Sequence, residues 1–261
     1  MKMTAAERLV VFALILCVPA VPSGRAFAEE LPEIIQRIRP GVVAVGTVQP
    51  MRRPPAAFLG TGFAVDDGRL VATNAHVIPE KLDTAKKETL AVFVGRGQEV
   101  EAREAQVAAE DRDHDLVLLR IQGPPLPPLR LSDRRVREGE AVAFTGFPIG
   151  MILGLYPVTH RGIISSVTLD VIPSLSARQL DRVAIQKLKN ASEVYQLDAT
   201  AYPGNSGSPV YDPGTGAVIG ILNKVLVQEG KERVLERPTG ISYAVPIRHA
   251  IALLEKAGRR H

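Results

Sequence analysis

Short β-branched runs separated by turn residues dominate this chain and leave it little choice of architecture. Six runs of four to eight residues lie in the first half of the chain and six in the second. The runs are 42–48, 62–65, 70–73, 90–94, 105–109 and 116–121, then 141–146, 158–165, 193–198, 208–211, 217–223 and 241–245. A proline-rich link at 123–128 separates the two groups. This pattern predicts an all-β fold of two six-stranded antiparallel β-barrels.

Short helices are expected at both ends of the barrels. Apolar residues recur at helical spacing at positions 31, 34, 35 and 38, ahead of Pro40. Pro246 begins a second segment with one apolar face, and Gly258 is its expected stop. We therefore predict a single domain over 29–261, with an N-terminal barrel at about 41–122, a C-terminal barrel at about 139–246 and a helix at 246–258. We expect no further domain after that helix.

The first 28 residues have the features of a secretory signal peptide. Lys2 and Arg8 precede an apolar stretch at 9–21, and Ala26-Phe27-Ala28 gives a small-x-small cleavage site. The stretch is short for a membrane span. We predict cleavage after Ala28 and export to the periplasm or the extracellular space, without stable membrane insertion afterwards. An uncleaved membrane anchor is the alternative.

The composition of residues 29–261 excludes several classes of function. The only cysteine, Cys17, lies in the leader, so the exported chain has no disulfide and must be stabilised by core burial. Its 29 basic and 27 acidic residues give a formal net charge of +2, which is too small to indicate nucleic-acid or membrane binding. No metal or cofactor is expected.

A serine in a tight glycine-rich turn is the first candidate for chemistry. Ser206 lies between Gly204 and Gly207, where small neighbours admit a substrate and the backbone can turn N–H groups toward an oxyanion. A serine hydroxyl becomes a good nucleophile only when an imidazole takes its proton and a carboxylate orients that imidazole. His76, at the end of one predicted strand, and Asp115, directly before another, supply these groups.

Each of these residues has an ordinary structural interpretation when it is taken alone. His76 could be a packing histidine, Asp115 a strand-entry cap and Ser206 a turn serine. Asp111 and Asp113 compete for the role of the acid, but Asp115 is the residue that immediately precedes the apolar strand. The order His, Asp, Ser and the scarcity of helices argue against an esterase of the α/β-hydrolase class.

Six segments in order resemble the trypsin-fold serine proteases, and most closely their HtrA/Do branch. They are 60–63 with 70–77, 114–119, 146–150, 161–165, 196–207 and 241–246. The resemblance covers roughly residues 31–257. It implies a serine endopeptidase that cuts unfolded or exposed polypeptides through an acyl-enzyme, with His76, Asp115 and Ser206 as the triad. A homotrimer is implied by this resemblance only.

The resemblance also assigns the residues around the triad. Backbone N–H groups of Gly204, Asn205 and Ser206 would form the oxyanion hole. The substrate pocket would have Thr200 as its floor and the segment Leu222, Asn223 and Lys224 as a wall. With no aspartate on that floor, small or medium apolar side chains are the expected preference. Ser208-Pro209 is found in glutamyl endopeptidases instead of the HtrA branch, yet their acid-binding histidine has no counterpart at 221–224.

Two departures concern regulation. The C-terminal PDZ domain usual in the HtrA branch has no counterpart, and residues 168–192 are longer than the usual loop. Leu180, Val183, Ala184 and Leu188 could form one apolar face of a short helix there, either packed on the surface or serving as a lid beside the active site. An alternative for the whole chain is a catalytically silent trypsin-fold protein with a binding or regulatory role in the cell envelope.

Overall fold

The computed structural model describes residues 30–97, 99–148, 154–169, 192–223 and 240–258. It confirms an all-β fold of two closed six-stranded antiparallel barrels. The first barrel contains β1 (Val42–Val48), β2 (Ala56–Val65), β3 (Leu70–Asn74), β4 (Thr89–Arg96), β5 (Glu99–Asp111) and β6 (Leu116–Ile121). The second contains β7 (Ala141–Gly146), β8 (Val158–Leu169), β9 (Glu193–Asp198), β10 (Pro209–Tyr211), β11 (Val218–Asn223) and β12 (Ile241–Pro246).

The two barrels close in equivalent ways. The strand order is β1-β2-β3-β6-β5-β4 in the first and β10-β11-β12-β9-β8-β7 in the second. Helix α1 (Leu31–Ile38) precedes the first barrel and helix α2 (Ile247–Gly258) follows the second. Neither of these helices, the only two α-helices in the described ranges, is long and apolar enough to cross a membrane.

Strand β5 is much longer than the sequence suggests. The expected run was 105–109, but β5 extends over 13 residues and pairs with β4 back to the register pair Arg96 and Glu99. Its first half alternates charged residues with small ones, and most of those residues are exposed. Where a hairpin is solvated on both faces, hydrophobic alternation disappears, so the sequence pattern cannot report the strand. Strand β2 likewise begins at Ala56, six residues before the expected start.

Alternation along each strand divides the apolar residues between different cores. Val43 and Val45 point into the first barrel, whereas their neighbours Val42 and Ala44 pack in a separate cluster. That separate cluster also takes in residues of both helices and of the second barrel, including Ile34, Tyr211 and Ile247. The barrels are therefore joined by a shared apolar layer, and a third cluster fills the second barrel.

Backbone hydrogen bonds attach the proline-rich link and the residues after it to both barrels. The N–H of Leu126 donates to the carbonyl of Gly68 and that of Leu129 to Ala64, both at 2.9 Å. Further along, the N–H of Ser132 donates to Val218 of β11 at 2.9 Å. These bonds tie the link to β2 and its following turn in the first barrel and to β11 in the second.

Candidate active site

His76 is held at two points by Asp115. It lies in a single 3-10 turn, Ala75–Val77, that directly follows β3. Its backbone N–H donates to Asp115 Oδ1 at 2.8 Å, and its ring Nδ1 lies 2.5 Å from Asp115 Oδ2. The side chains of His76 and Asp115 are 29% and 25% exposed. One carboxylate therefore fixes both the backbone and the ring of the histidine while leaving the ring accessible.

Asp115 is fixed in turn by its own backbone. Its φ is +53°, a left-handed conformation that aspartate adopts more readily than most residues. Its carbonyl accepts hydrogen bonds from the N–H of Ala75 at 3.0 Å and from Asn74 Nδ2 at 3.1 Å. The turn between β5 and β6 is thus bonded to the residues that lead into His76. This local geometry selects Asp115 over Asp111 and Asp113 as the partner of His76.

Asn223 makes a contact that the sequence did not reveal. Its Nδ2 donates to Asp115 Oδ2 at 2.8 Å, and the residue is 2% exposed. Asn223 ends β11 in the second barrel, 108 positions from Asp115. The sequence assigned it only to a substrate-pocket wall. The contact adds a second hydrogen-bonding partner to the oxygen that faces the imidazole, and so helps to fix the position of the carboxylate.

Ser206 lies in the turn between β9 and β10 and is 6% exposed. Its carbonyl accepts a hydrogen bond from the N–H of Thr61 on β2 at 2.8 Å. The next residue, Gly207, donates to the carbonyl of Leu222 at 2.9 Å, and Leu222 immediately precedes Asn223. The strand end that contacts Asp115 therefore also holds the serine turn.

Gly60 of β2 lies against both the histidine turn and the serine turn. A Cβ at this position would lie 2.7 Å from a methyl carbon of Val77, which follows His76, and 3.0 Å from the carbonyl oxygen of Ser206. Only a glycine leaves room for both contacts. The histidine turn and the serine turn therefore meet across one residue of β2.

The serine turn uses glycines where its backbone is left-handed. Gly204 and Gly207 have φ values of +94° and +86°. The carbonyl of Gly204 accepts a hydrogen bond from Thr61 Oγ1 at 2.7 Å. The N–H of Asn205 donates to the carbonyl of Tyr202 at 3.0 Å and so is engaged within the turn. The N–H groups of Gly204 and Ser206 donate to no other residue that the structure describes.

The other expected pocket residues occupy different environments. Thr200 is half-buried just after β9, whereas Leu222 is fully buried among the core residues of the second barrel. Lys224 lies outside the described residues, as do residues 170–191, which include all four apolar positions of the expected helix.

A cavity of about 490 Å³ adjoins His76 and Asp115. One wall is formed by the segment after His76, including Ile78 and Glu80, and the opposite wall by the end of β5, including Glu110. Ser206 is not among the residues that line this cavity. Across the described ranges, no three histidine, cysteine or acidic side chains are grouped to hold a metal ion.

The remaining described histidines stand apart from this arrangement. His114 Nδ1 bonds to Asp111 Oδ2 at 2.7 Å, and the ring stacks on His249 of α2 with 3.7 Å between centroids. His160 stacks on Phe144 at 4.9 Å, and burial lowers its pKa below the usual range. No contact joins any of these three rings to His76.

Comparison with known proteins agrees with this geometry. A family model described as a trypsin-like peptidase domain matches residues 60–221. A probable periplasmic serine endoprotease, DegP-like, from Halomonas elongata is 29% identical over 240 residues, which is 87% of this chain and 42% of the relative. A putative serine protease, HhoA, from Synechocystis is 31% identical over 208 residues, covering 78% of this chain and 44% of the relative. The chain thus spans less than half the length of these relatives.

Solved structures give the same picture. The serine endoprotease from Yersinia pestis superposes with a TM-score of 0.61 and 25% identity, covering 88% of this chain and 67% of that one. An HtrA-type protease solved with a tripeptide has a TM-score of 0.59 and 22% identity, covering 87% and 63%, and so supports the fold alone. The family model, which matches more than half of the chain, decides the assignment. This chain belongs to the family of trypsin-like peptidase domains.

Proposed function

We propose that the protein is a serine endopeptidase that hydrolyses peptide bonds in unfolded or exposed polypeptides. The observation that carries this proposal is the two-point contact between His76 and Asp115, at 2.8 and 2.5 Å. It is supported by the hydrogen bonds that hold the turn of Ser206 to β2 and β11. A histidine oriented by a carboxylate beside a serine in a glycine turn is the arrangement that acyl transfer requires.

Each residue then has a defined part in the reaction. Ser206 Oγ attacks the carbonyl carbon of the substrate, and His76 Nε2 takes the hydroxyl proton. Asp115 stays ionised, keeps the ring Nδ1 protonated and stabilises the imidazolium. The tetrahedral intermediate collapses when His76 gives its proton to the leaving amine. Water then attacks the acyl-enzyme by the same route, releasing the acid and regenerating Ser206.

The N–H groups of Gly204 and Ser206 are the proposed oxyanion donors. Both are free of other described partners, whereas the N–H of Asn205 is bonded to Tyr202. Removing one such donor commonly costs about 10²–10³ in rate. Thr61 Oγ1 supports the turn by donating to the carbonyl of Gly204 at 2.7 Å.

Specificity for small or medium apolar side chains follows from the expected pocket. Thr200 carries no charge that would attract lysine or arginine, so a trypsin-like preference is not expected. A digest of a peptide library, read by mass spectrometry, tests this preference. Cleavage confined to sites after lysine, arginine or glutamate would contradict it.

Export of the protein is also part of the proposal. It rests on the leader-like residues 1–28 and on relatives whose names include the word periplasmic. Fractionation of cells that express the full chain should recover a product shortened by 28 residues outside the cytoplasm. Recovery of the uncleaved chain with the membrane would favour the anchor instead.

Labelling with a fluorophosphonate probe tests the nucleophile directly. The probe phosphonylates a serine only when an imidazole activates it. We expect the wild type to be labelled, and Ser206→Ala and His76→Ala to lose the label. Ser132→Ala, which changes a serine whose backbone N–H alone bonds to Val218, is the matched control and should be labelled like the wild type.

Two results would contradict the proposal. Equal labelling of the wild type and Ser206→Ala would place the nucleophile elsewhere. A folded wild type that neither takes the label nor cleaves unfolded protein would favour a catalytically silent protein of this family.

A further inference from the structure

A second cavity, of about 400 Å³, lies where the N-terminal segment meets both barrels. Its walls come from the segment around Arg39, the tip of the β4–β5 hairpin with Arg96 and Glu99, and Phe147 and Pro157 on either side of the β7–β8 connection. It shares no lining residue with the cavity beside His76.

The two arginines of this cavity lack partners. Arg39 is half-buried, and its Nε is buried without a hydrogen bond. The side chains of Arg39 and Arg96 make no hydrogen bond or ion pair with any residue that the structure describes. A buried N–H group without an acceptor, such as Arg39 Nε, costs free energy, because it loses water and gains no hydrogen bond in return.

Other arginines of this chain show what the usual arrangement is. Arg52 bonds to Glu88 Oε1 at 2.8 Å, and Arg134 bonds to both Glu140 and Asp212 at 2.6 and 3.1 Å. In each of these ion pairs the acceptor is a carboxylate of the chain itself. Among the half-buried arginines that the structure describes, Arg39 is the one whose side chain has no hydrogen bond or ion pair, and it lies at a cavity.

The other residues that line the cavity indicate which kind of ligand it would bind. Pro40, Val42, Phe147 and Pro157 are apolar, and Phe147 is only 3% exposed. Glu99 is the one acidic residue of the lining, so the two arginines leave the cavity a net positive charge. A planar guanidinium fork binds carboxylates in a bidentate manner, and the apolar wall suits a hydrocarbon group beside the carboxylate.

We propose that this cavity binds a carboxylate that carries an apolar group, such as a short peptide end or an aliphatic acid, and that binding acts on the serine turn. Phe147 connects the two places. Its N–H donates to Thr61 Oγ1 at 3.0 Å, and that hydroxyl donates to the carbonyl of Gly204 at 2.7 Å. Phe147 and Gly204 are thus linked through the hydroxyl of Thr61. A ligand packed on Phe147 therefore stabilises the position of Gly204.

Calorimetric titration of the full chain with N-acetyl-leucine tests the site itself. Binding should be saturable, and N-acetyl-leucinamide, which lacks the carboxylate, should not bind. Arg39→Gln and Arg96→Gln should each weaken binding about tenfold or more, as loss of a charged hydrogen bond does. Glu99→Gln should strengthen it, because a like charge has left the cavity. Arg69→Gln, on the exposed turn between β2 and β3, should change nothing.

Two further titrations distinguish a peptide end from an aliphatic acid as the source of the carboxylate. A leucine-terminated tripeptide represents a peptide end and hexanoate represents an aliphatic acid, and the tighter ligand identifies the class. Absence of saturable binding by all three carboxylates at millimolar concentration would overturn the proposal. So would unchanged affinity in both arginine variants. If Arg39→Gln fails to fold, the exposed Arg96→Gln still decides the outcome.

The action on the serine turn rests on the proposed function and has its own readout. N-acetyl-leucine should raise the labelling rate of Ser206 by about fivefold or more in the wild type, a usual size for coupling between sites, and should leave the rate in Arg39→Gln unchanged. Binding without any change in rate would overturn the coupling. A protein that binds the carboxylate but never takes the label would contradict the proposed function while leaving the site intact.

Discussion

The two barrels supply different kinds of active-site geometry. On the first barrel, His76 and Asp115 are joined by two hydrogen bonds, and the carbonyl of Asp115 accepts two more. On the second barrel, the turn that carries Ser206 contains buried polar atoms without partners. Both polar side-chain atoms of Asn205 and the hydroxyl of Ser208 are in this state among the described residues.

This difference indicates which half of the site is preset and which is adjustable. Buried polar groups are nearly always hydrogen-bonded, so a local group of exceptions points to a part of the fold that does not rest in its best-bonded arrangement. The proposed acid and base are already bonded to each other, and one buried polar atom beside them, Asn74 Oδ1, lacks a partner, against three in the serine turn. The serine turn is the part whose position contacts from β2, β7 and β11 must determine.

Substitution of the acid should have the largest effect on activity. Asp115→Asn keeps the size of the side chain but removes the charge that holds Nδ1 protonated. We expect the peptidase rate to fall by about 10³–10⁴, because the histidine is held in the wrong tautomer. The neighbouring Asp113→Asn is the matched control and should retain full activity. A loss of less than tenfold in Asp115→Asn would show that the contact between Asp115 and His76 is not the fixed part of the site on which activity depends.

Substitution of Gly146 should disturb the adjustable half. A Cβ here would lie about 2.0 Å from Ser208 Oγ and 2.9 Å from Asn205 Oδ1, so the serine turn must shift. Gly146→Ala should lower the free energy of unfolding by about 1–3 kcal/mol. It should also lower the peptidase rate, whereas Asp113→Asn should not. Gly214→Ala meets only Asp212 Oδ1, at 3.4 Å, and serves as the control. Denaturant unfolding and probe labelling measure the two effects, and an unchanged labelling rate in Gly146→Ala would contradict the expected disturbance of the serine turn.

The sequence predicts the parts of this site that depend on local patterns. His76 follows a strand and Asp115 precedes one, so strand periodicity and the order of the motifs were enough to pair them. The two-barrel fold was likewise predicted, because most strands are buried along nearly their whole length and therefore read as apolar, β-branched runs. The solvated half of β5 carries no such run, so its true length was not visible.

Contacts between the barrels could not be read in the same way. Asn223 meets Asp115 across 108 positions, and that contact depends on how the link at 123–140 sets one barrel against the other. The bond between the N–H of Asn205 and Tyr202 depends on the conformation of one turn. Neither leaves a periodic signal, because each involves a single residue placed by packing elsewhere.

The packing of α2 against the first barrel should respond to acid. His249 of α2 stacks on His114, and burial, aided by the positive charges of His114 and Arg248, lowers the pKa of His249 to about 4. An unfolded histidine titrates near 6.5, so between pH 6.5 and 4 the unfolded chain binds this proton more readily. Stability is therefore unaffected above pH 6.5, falls as the pH drops through that window and levels off below about 4.

Replacement of that histidine should remove this part of the pH dependence. His249→Phe keeps the stacked ring but cannot take a proton. Between pH 7.5 and 5, the wild type should lose about 1 kcal/mol more of its free energy of unfolding than the variant, since the ring is only half-buried and solvent screens its charge. Urea unfolding at both pH values measures the difference. Equal losses in the two proteins would show that the contact between α2 and the β5–β6 turn is insensitive to acid.

The smallest expected effect bears most directly on the unbonded atoms of the serine turn. Ser208 Oγ is buried without a partner, so Ser208→Ala removes a hydroxyl that contributes no hydrogen bond and should change the free energy of unfolding by less than about 1 kcal/mol, in the stabilising direction. Thr73 provides the contrast, because its buried hydroxyl donates to the carbonyl of Thr61 at 2.6 Å. Thr73→Val should destabilise the protein by about 1–2 kcal/mol, since it leaves that carbonyl without this donor. If Ser208→Ala costs as much as Thr73→Val in denaturant unfolding, the hydroxyl of Ser208 is bonded in solution, and the serine turn is as firmly set as the acid and the base.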